Sequence, residues 1–138
     1  MAIVTHFRIG QAAALLGVSD DTVRRWVDSG SLDAGSDDAG RAVIEGSVLA
    51  GFAREQAGRG RSVDDASGVG RSARNRFVGL VTAVTTDTVM AQVEMQCGPH
   101  RVVSLMSSEA VRELQLEVGS LAVAVVKATT VIVETPSA

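Results

Sequence analysis

The 138-residue sequence predicts two domains, a helical one followed by a mainly-β one, and three observations carry that prediction. Apolar residues recur at helical spacing through "RIGQAAALLGVSDDTVRRWVDSGSLDA". From Arg76 onward they change to short β-branched runs bounded by turn residues. Between the two patterns "GRGRSVDDASGVG", residues 58–70, has no apolar period and the Gly, Ser and charge content of a flexible connector. The expected boundaries are therefore residues 1–57, a linker over 58–70, and residues 71–138.

Composition bounds what these domains are. With 46% apolar and 21% charged residues the chain can bury a core, and with 3% aromatics that core must be aliphatic. Acidic residues outnumber basic ones in the first half and balance them in the second, so neither half is a basic, nonspecific nucleic-acid binder. No apolar run reaches the length of a bilayer span, and "MAIVTHFRIG" lacks the apolar stretch of a signal peptide. The expectation is a cytoplasmic protein with no membrane partner. Cys97 is the single cysteine, which leaves no disulfide framework and no thiolate cluster; a free thiol at a turn is expected. His6 and His100 have no partners at metal-ligand spacing, so no metal site is predicted and both should lie on the surface. No carboxylate pair, nucleophile with base or phosphate-cradling glycine loop is present, and the chain reads as a non-enzyme.

In the first domain, Ala12, Leu15 and Leu16 are expected on one helix face, and Gly17 breaks the pattern where a turn is wanted. Ser19 offers an N-cap hydroxyl, and Asp20 and Asp21 complement the dipole of a second helix. There Val23, Trp26 and Val27 return as the packed face, which leaves Thr22, Arg24 and Arg25 more accessible. Two short helices joined by a glycine turn, the second bearing an arginine pair, describe a helix-turn-helix.

The run resembles the MerR and excisionase-like helix-turn-helix family. The matching residues are Ile9, Ala12 to Leu16, Gly17-Val18-Ser19, Thr22-Val23-Arg24-Arg25-Trp26, Gly30 and Leu32. "GRAVIEGSVLAGFARE" then looks like that family's wing strand running into its third helix. The resemblance implies an all-α winged helix-turn-helix that binds DNA, with Thr22, Arg24 and Arg25 toward the major groove or its phosphates and Arg41 on the backbone from the wing. Asp33, Asp37 and Asp38 lie where a phosphate-binding surface would prefer lysine, and each repels the duplex. One copy should bind DNA poorly, so a working regulator needs several copies held together.

The second domain reads as "RFVGLVTAV" and "TVMAQVEMQ" around a turn at Thr86 to Thr88, then "RVVSLM" after a "CGPH" turn. In the second strand Val89, Ala91, Val93 and Met95 alternate with Met90, Gln92, Glu94 and Gln96, which gives one dry face. "SSEAVRELQL" is a brief helix started by a serine cap and packed through Val111 and Leu114. Val118-Gly119 turns the chain into "LAVAVVKATTVIVE", expected as two final strands that meet near Ala128. "LAVAVV" and "VGLVTAV" are apolar on both faces, more than the inside of a small barrel can bury, and subunit association is the expected use of the surplus.

Residues 72–134 resemble the molybdate-binding Mop, or TOBE, domain. The resemblance rests on Ser72-Ala73-Arg74-Asn75, Gly79, "SSEAVRELQL" with Val118-Gly119, and Lys127-Ala128-Thr129-Thr130-Val131. It implies a mainly-β OB-like barrel that assembles as a homo-oligomer, a hexamer built as a trimer of dimers, with a tetrahedral oxyanion between subunits. Molybdate is the first expectation and tungstate its near-equivalent. The implied site is Ser72, Ala73, Arg74, Asn75, Ser107, Ala110, Lys127, Ala128 and Thr129. The residue chemistry agrees, because Arg, Lys, Ser, Thr and backbone N–H offer donors to a desolvated dianion without competing acceptor charge. Where the family usually shows a second hydroxyl three residues after Ser107, this chain has Ala110, one side-chain donor fewer. The combined expectation is a molybdate-responsive transcriptional regulator; its competitor is a molybdate storage oligomer whose helix-turn-helix does not regulate transcription.

Overall fold

The computed structural model describes residues 5–59 and 75–136. Its contacts divide into two compact units, Met1–Ser62 and Val63–Ala138, each with its own hydrophobic core.

In the first unit β1 (His6–Arg8) runs directly into α1 (Ile9–Leu16). The Arg8 N–H donates to Gln11 Oε1 at 2.9 Å, which satisfies a donor the helix start would otherwise leave open. α1 ends at Gly17 with φ 69°, and the Val18 N–H returns to the Ala13 carbonyl at 3.0 Å. Ser19 Oγ then accepts from the Thr22 N–H at 3.2 Å and α2 (Asp20–Asp28) begins, with Asp20 and Asp21 in its first turn. The predicted turn and cap are both present. β2 (Gly35–Ser36) and β3 (Ala42–Glu45) form the wing, and β3 leads into α3 (Gly46–Arg59).

A sheet of order β1-β3-β2 completes the unit, and β1 is its unforeseen member. Three residues are too few to show alternation, so the strand exists only because Phe7 finds Ile44 across the ladder. Ala12, Ala13, Val23, Leu32, Ile44, Leu49 and Phe52 are buried, with Ile9, Leu16, Trp26 and Val27 packed against them. The Trp26 and Phe52 rings meet at 4.9 Å between centroids. Leu15 departs from its expected place and is 65% exposed. At 100° per residue the buried Ala12 and Ala13 and the half-buried Leu16 centre the inner face away from it, which leaves Leu15 on the flank.

The second unit is one antiparallel sheet of order β6-β5-β4-β7. Its strands are β4 (Asn75–Thr86), β5 (Met90–Cys97), β6 (His100–Ser107) and β7 (Leu121–Val126), with α4 (Ser108–Leu114) between the last two. β4 serves two neighbours: residues Leu80 to Thr86 pair with β5 and Asn75 to Leu80 with β7. The register slips between Val81 and Ala83, and this bulge bends β4 so that one sheet curls into a half-barrel. Ala91, Val93 and Met95 face inward as predicted, joined by Val81, Cys97 and Val111. α4 is fastened over the β4–β5 turn by Ser108, whose N–H and hydroxyl donate to the Val89 and Thr88 carbonyls at 2.8 Å and 3.0 Å.

Four expectations need correction here. Cys97 is a buried core residue at the end of β5 and not a thiol at a turn, because the alternation of β5 points it inward. Val89 is 67% exposed, since β5 begins only at Met90. Leu114 is 64% exposed; Leu116, beyond the helix end, takes its place against the core. The second of the two final strands is absent from the single chain. After β7 a 3-10 turn spans Ala128–Thr130, and residues 131–136 pair with no strand. Val131, Ile132 and Val133 are 47%, 85% and 86% exposed, because a β sequence forms a strand only where an edge receives it.

Candidate functional site

Two groups of residues were singled out from the sequence, one on each unit. On α2, Arg24 and Arg25 are exposed and Thr22 is half-buried. Each arginine already has a partner one helical turn back. Arg24 Nη1 donates to Asp21 Oδ1 at 3.2 Å, and Arg25 Nη2 donates to Thr22 Oγ1 at 3.2 Å. Thr22 Oγ1 also lies 2.9 Å from Ser19 Oγ, so the cap, the threonine and the arginine form a chain along the first turn. The Arg24–Asp21 side chains are 59% and 94% exposed, where such a pair adds little stability and gives way readily to a stronger anion.

The wing carries Arg41, and its local structure is built by Asp37. The Asp37 N–H donates to the Arg41 carbonyl and the Gly40 N–H to the Asp37 carbonyl, both at 2.9 Å, with Gly40 at φ 78°. Asp37 Oδ1 accepts the N–H groups of Ala39 and Arg41 at 2.9 Å each, while Oδ2 accepts from Arg41 Nε at 3.2 Å. The Arg41 backbone donor, assisted by that of Ala39 and by the Arg41 guanidinium, holds the Asp37 carboxyl below its ordinary value. Sequence reasoning counted Asp37 only as a charge that repels DNA. The signal for its second role was the Asp-x-x-Gly spacing of "DDAG", an aspartate turn.

On the second unit, Ser72, Ala73 and Arg74 lie outside the described residues. Asn75 opens β4 opposite Val126, and its Nδ2 donates to the Val126 carbonyl at 3.1 Å. That pairing sets Asn75 beside Lys127, Ala128 and Thr129, which are exposed at the 3-10 turn. The Lys127 carbonyl accepts from the Thr130 N–H at 3.0 Å and hydroxyl at 2.8 Å, which shapes the turn and leaves the Lys127 ammonium to other partners. Ser107 caps α4, its Oγ accepting from the Ala110 N–H at 3.1 Å. The hydroxyl proton of Ser107 can still be donated, whereas the Ala110 N–H is already engaged.

The register separates these residues into two places. Ser107 pairs with Met90 at the start of β5, beside the C-terminal end of β4, while Asn75 and Lys127 lie at the N-terminal end of β4. Eleven steps along β4 are about 36 Å of strand at ~3.3 Å each. Within one sheet the two clusters are not neighbours by register. Among the described residues no group of His, Cys, Asp or Glu could hold a metal ion, and no helix is long and apolar enough to cross a membrane.

Residues 71–133 match the family model of the TOBE domain, and residues 7–57 match that of a helix-turn-helix domain. A relative described as a probable molybdenum-pterin-binding protein, from Haemophilus influenzae, is 44% identical over 63 residues, 45% of this chain and 91% of the relative. The chain belongs to the TOBE-domain family. The chain is also similar to the molybdenum transport protein ModE of Herbaspirillum seropedicae, 37% identical over 65 residues, 46% of this chain and 24% of that protein. The chain thus matches only about a quarter of that relative's length. Among solved structures, the cytoplasmic molybdate-binding protein ModG, with molybdate bound, is 40% identical with a TM-score of 0.49, over 52% of each chain. The helix-turn-helix domain ahead of the TOBE domain agrees with the capped two-helix geometry of α1 and α2.

Proposed function

We propose that this protein is a molybdate-responsive DNA-binding regulator, in which TOBE domains hold molybdate, with tungstate as the near-equivalent, between subunits. The observation that carries the reading is the union in one chain of a helix-turn-helix domain with a TOBE domain whose relatives are named for molybdenum and molybdate. The anion's donors would be Ser72, Ala73, Arg74 and Asn75, with Lys127, Ala128 and Thr129 at the adjoining turn and Ser107 from the far end of the sheet, where Ala110 would line the site with its own N–H engaged by Ser107 Oγ. The register keeps Asn75 and Lys127 from being sheet neighbours of Ser107 in one chain, which supports a site that would draw the two groups from different subunits. The protein would act in the cytoplasm as a homo-oligomer, a hexamer built as a trimer of dimers, and would bind without catalysing a reaction.

Apolar surface supports the assembly. Leu121, Val123 and Val125 are 64%, 37% and 48% exposed on the outer face of β7, and Leu80 beside them on β4 is 53% exposed. Leu121, Val123 and Val125 also border an apolar hollow of about 460 Å³ that reaches Val93, Met95, Val102 and Met106. Storage is the other reading, favoured by exposed Asp33 and Asp38 near the wing. A calorimetric titration of the full chain with molybdate, tungstate and sulfate, paired with a mobility assay on DNA from its own upstream region, separates them. Regulation requires tight molybdate binding, a sequence-preferring DNA complex and a change in that complex with anion. Tight molybdate binding with no DNA preference gives the case to storage.

A further inference from the structure

We infer that Asp37 is a positioning residue for DNA, holding the wing tip and the Arg41 guanidinium ready for a phosphate, so that removing its negative charge weakens DNA binding. The inference rests on the DNA-binding reading of the first unit. Charge alone predicts the opposite, since an aspartate next to a polyanion repels it.

The geometry decides between the two effects. Asp37 is half-buried under its own turn, with both carboxylate oxygens engaged: Oδ1 by the Ala39 and Arg41 N–H groups, Oδ2 by Arg41 Nε. The carboxylate therefore points into the hairpin. The guanidinium spends only Nε on this contact and keeps its Nη N–H groups for another acceptor. An arginine on an exposed hairpin samples many rotamers, and fixing it before the encounter removes an entropy loss that binding would otherwise incur. A screened charge at about 8 Å in water changes affinity by only about twofold. Loss of an ordered phosphate contact changes it several-fold and lowers the salt slope by ~0.9. Asp38 is exposed and provides the control, a neighbouring carboxylate of the same charge.

The experiment uses the full chain and a fluorescein-labelled mixed-sequence duplex over a salt series, with Asp37→Asn, Asp37→Ala, Asp38→Asn, Arg41→Ala and the Asp37→Asn/Arg41→Ala pair. Asparagine keeps an Oδ1 acceptor for the turn but puts an NH2 against Arg41 Nε, so it releases the arginine without unfolding the tip. Asp38→Asn should leave affinity unchanged or tighten it up to about twofold. Asp37→Asn should weaken it at least threefold, lower the salt slope, and have no further effect in the Arg41→Ala background. Tightening by Asp37→Asn equal to that of Asp38→Asn overturns the inference, as does an undiminished loss in the Arg41→Ala background. The free protein supplies an independent readout: the Arg41 Nε–H resonance should be protected in the wild type and averaged in Asp37→Asn. An unprotected Arg41 Nε–H in the wild type overturns the positioning role on its own. A protected one together with no duplex binding overturns the DNA reading, and with it this use of Asp37.

Discussion

Gly79 shows how much a single atom decides. A Cβ built there would stand 2.4 Å from the Gln96 carbonyl oxygen and 2.7 Å from Cys97 Sγ, closer than real atoms approach. The glycine lets β4 cross tightly over the end of β5, with Cys97 buried beneath it. Gly79→Ala should lower the melting temperature of the second unit, by an overpacking cost of about 1–3 kcal/mol. An unchanged calorimetric melt would show that the backbone moves apart freely there. Lys127 is the matching case for chemistry. In the proposed site Lys127 would be a full positive charge facing a desolvated dianion, so Lys127→Ala should cost about 2–5 kcal/mol of molybdate binding. A loss of less than threefold in a calorimetric titration removes Lys127 from the site.

Among the elements, the β4–β5 turn and α2 make opposite uses of their aspartates. Asp87 accepts the N–H groups of Met90 at 2.7 Å and Val89 at 2.8 Å, and these donors hold its carboxyl below the ordinary value. A lowered folded-state value contributes stability that is fully present above the unfolded carboxylate value, about 3.9. It is lost as pH falls through the folded value. Asp87→Asn should therefore melt below the wild type at neutral pH, and the difference should shrink as pH falls below about 4; a gap constant with pH would place the effect in packing. On α2 the Asp21–Arg24 pair is too exposed to stabilise the helix. Arg24→Ala should leave the melting temperature alone and weaken DNA binding by about 1–3 kcal/mol, measured by fluorescence anisotropy. Anion affinity should not change, and a shift in it would tie α2 to the anion site.

At the scale of the whole molecule, the division into two units with separate cores allows separate roles. The second unit has open sheet edges at β6 and β7, an apolar outer face on β7 and the apolar residues Val131 to Val133, which pair with no strand among the described residues. Such a surface is covered by a partner or it aggregates, and in the proposed assembly that partner is a second copy. A fragment of residues 63–138 should sediment as an oligomer and gain melting temperature with molybdate, since an anion bound across subunits stabilises only the assembled form. A fragment of residues 1–62 should sediment as a monomer, bind DNA feebly and ignore molybdate. Helix-turn-helix domains carried together on one oligomer would raise one another's effective concentration at DNA, which offsets a weak single domain. A monomeric second fragment would sink the intersubunit site.

What the sequence by itself determined is whatever depends on near neighbours along the chain. The Gly17 turn, the Ser19 and Ser107 caps, the exposed arginines of α2 and the inward alternation of β5 all follow from spacings of a few residues, because caps and pleats are closed by local hydrogen bonds and dihedral angles. The family resemblances were legible in the same way, as ordered runs of such residues. Asp37 belongs with the local features too: the "DDAG" spacing signals the turn on which its side chain folds back as the wing's acceptor. Tertiary structure alone decided the rest. β1 exists because Ile44 faces Phe7 from far along the chain, the inward-pointing Cys97 is closely covered because β4 passes over it, and Leu15 is exposed because the other side of α1 found the core. The apolar "VIVE" run stayed unpaired for the same underlying reason. A strand is completed by a partner's hydrogen bonds, and no periodicity within a segment says whether that partner lies in the same chain.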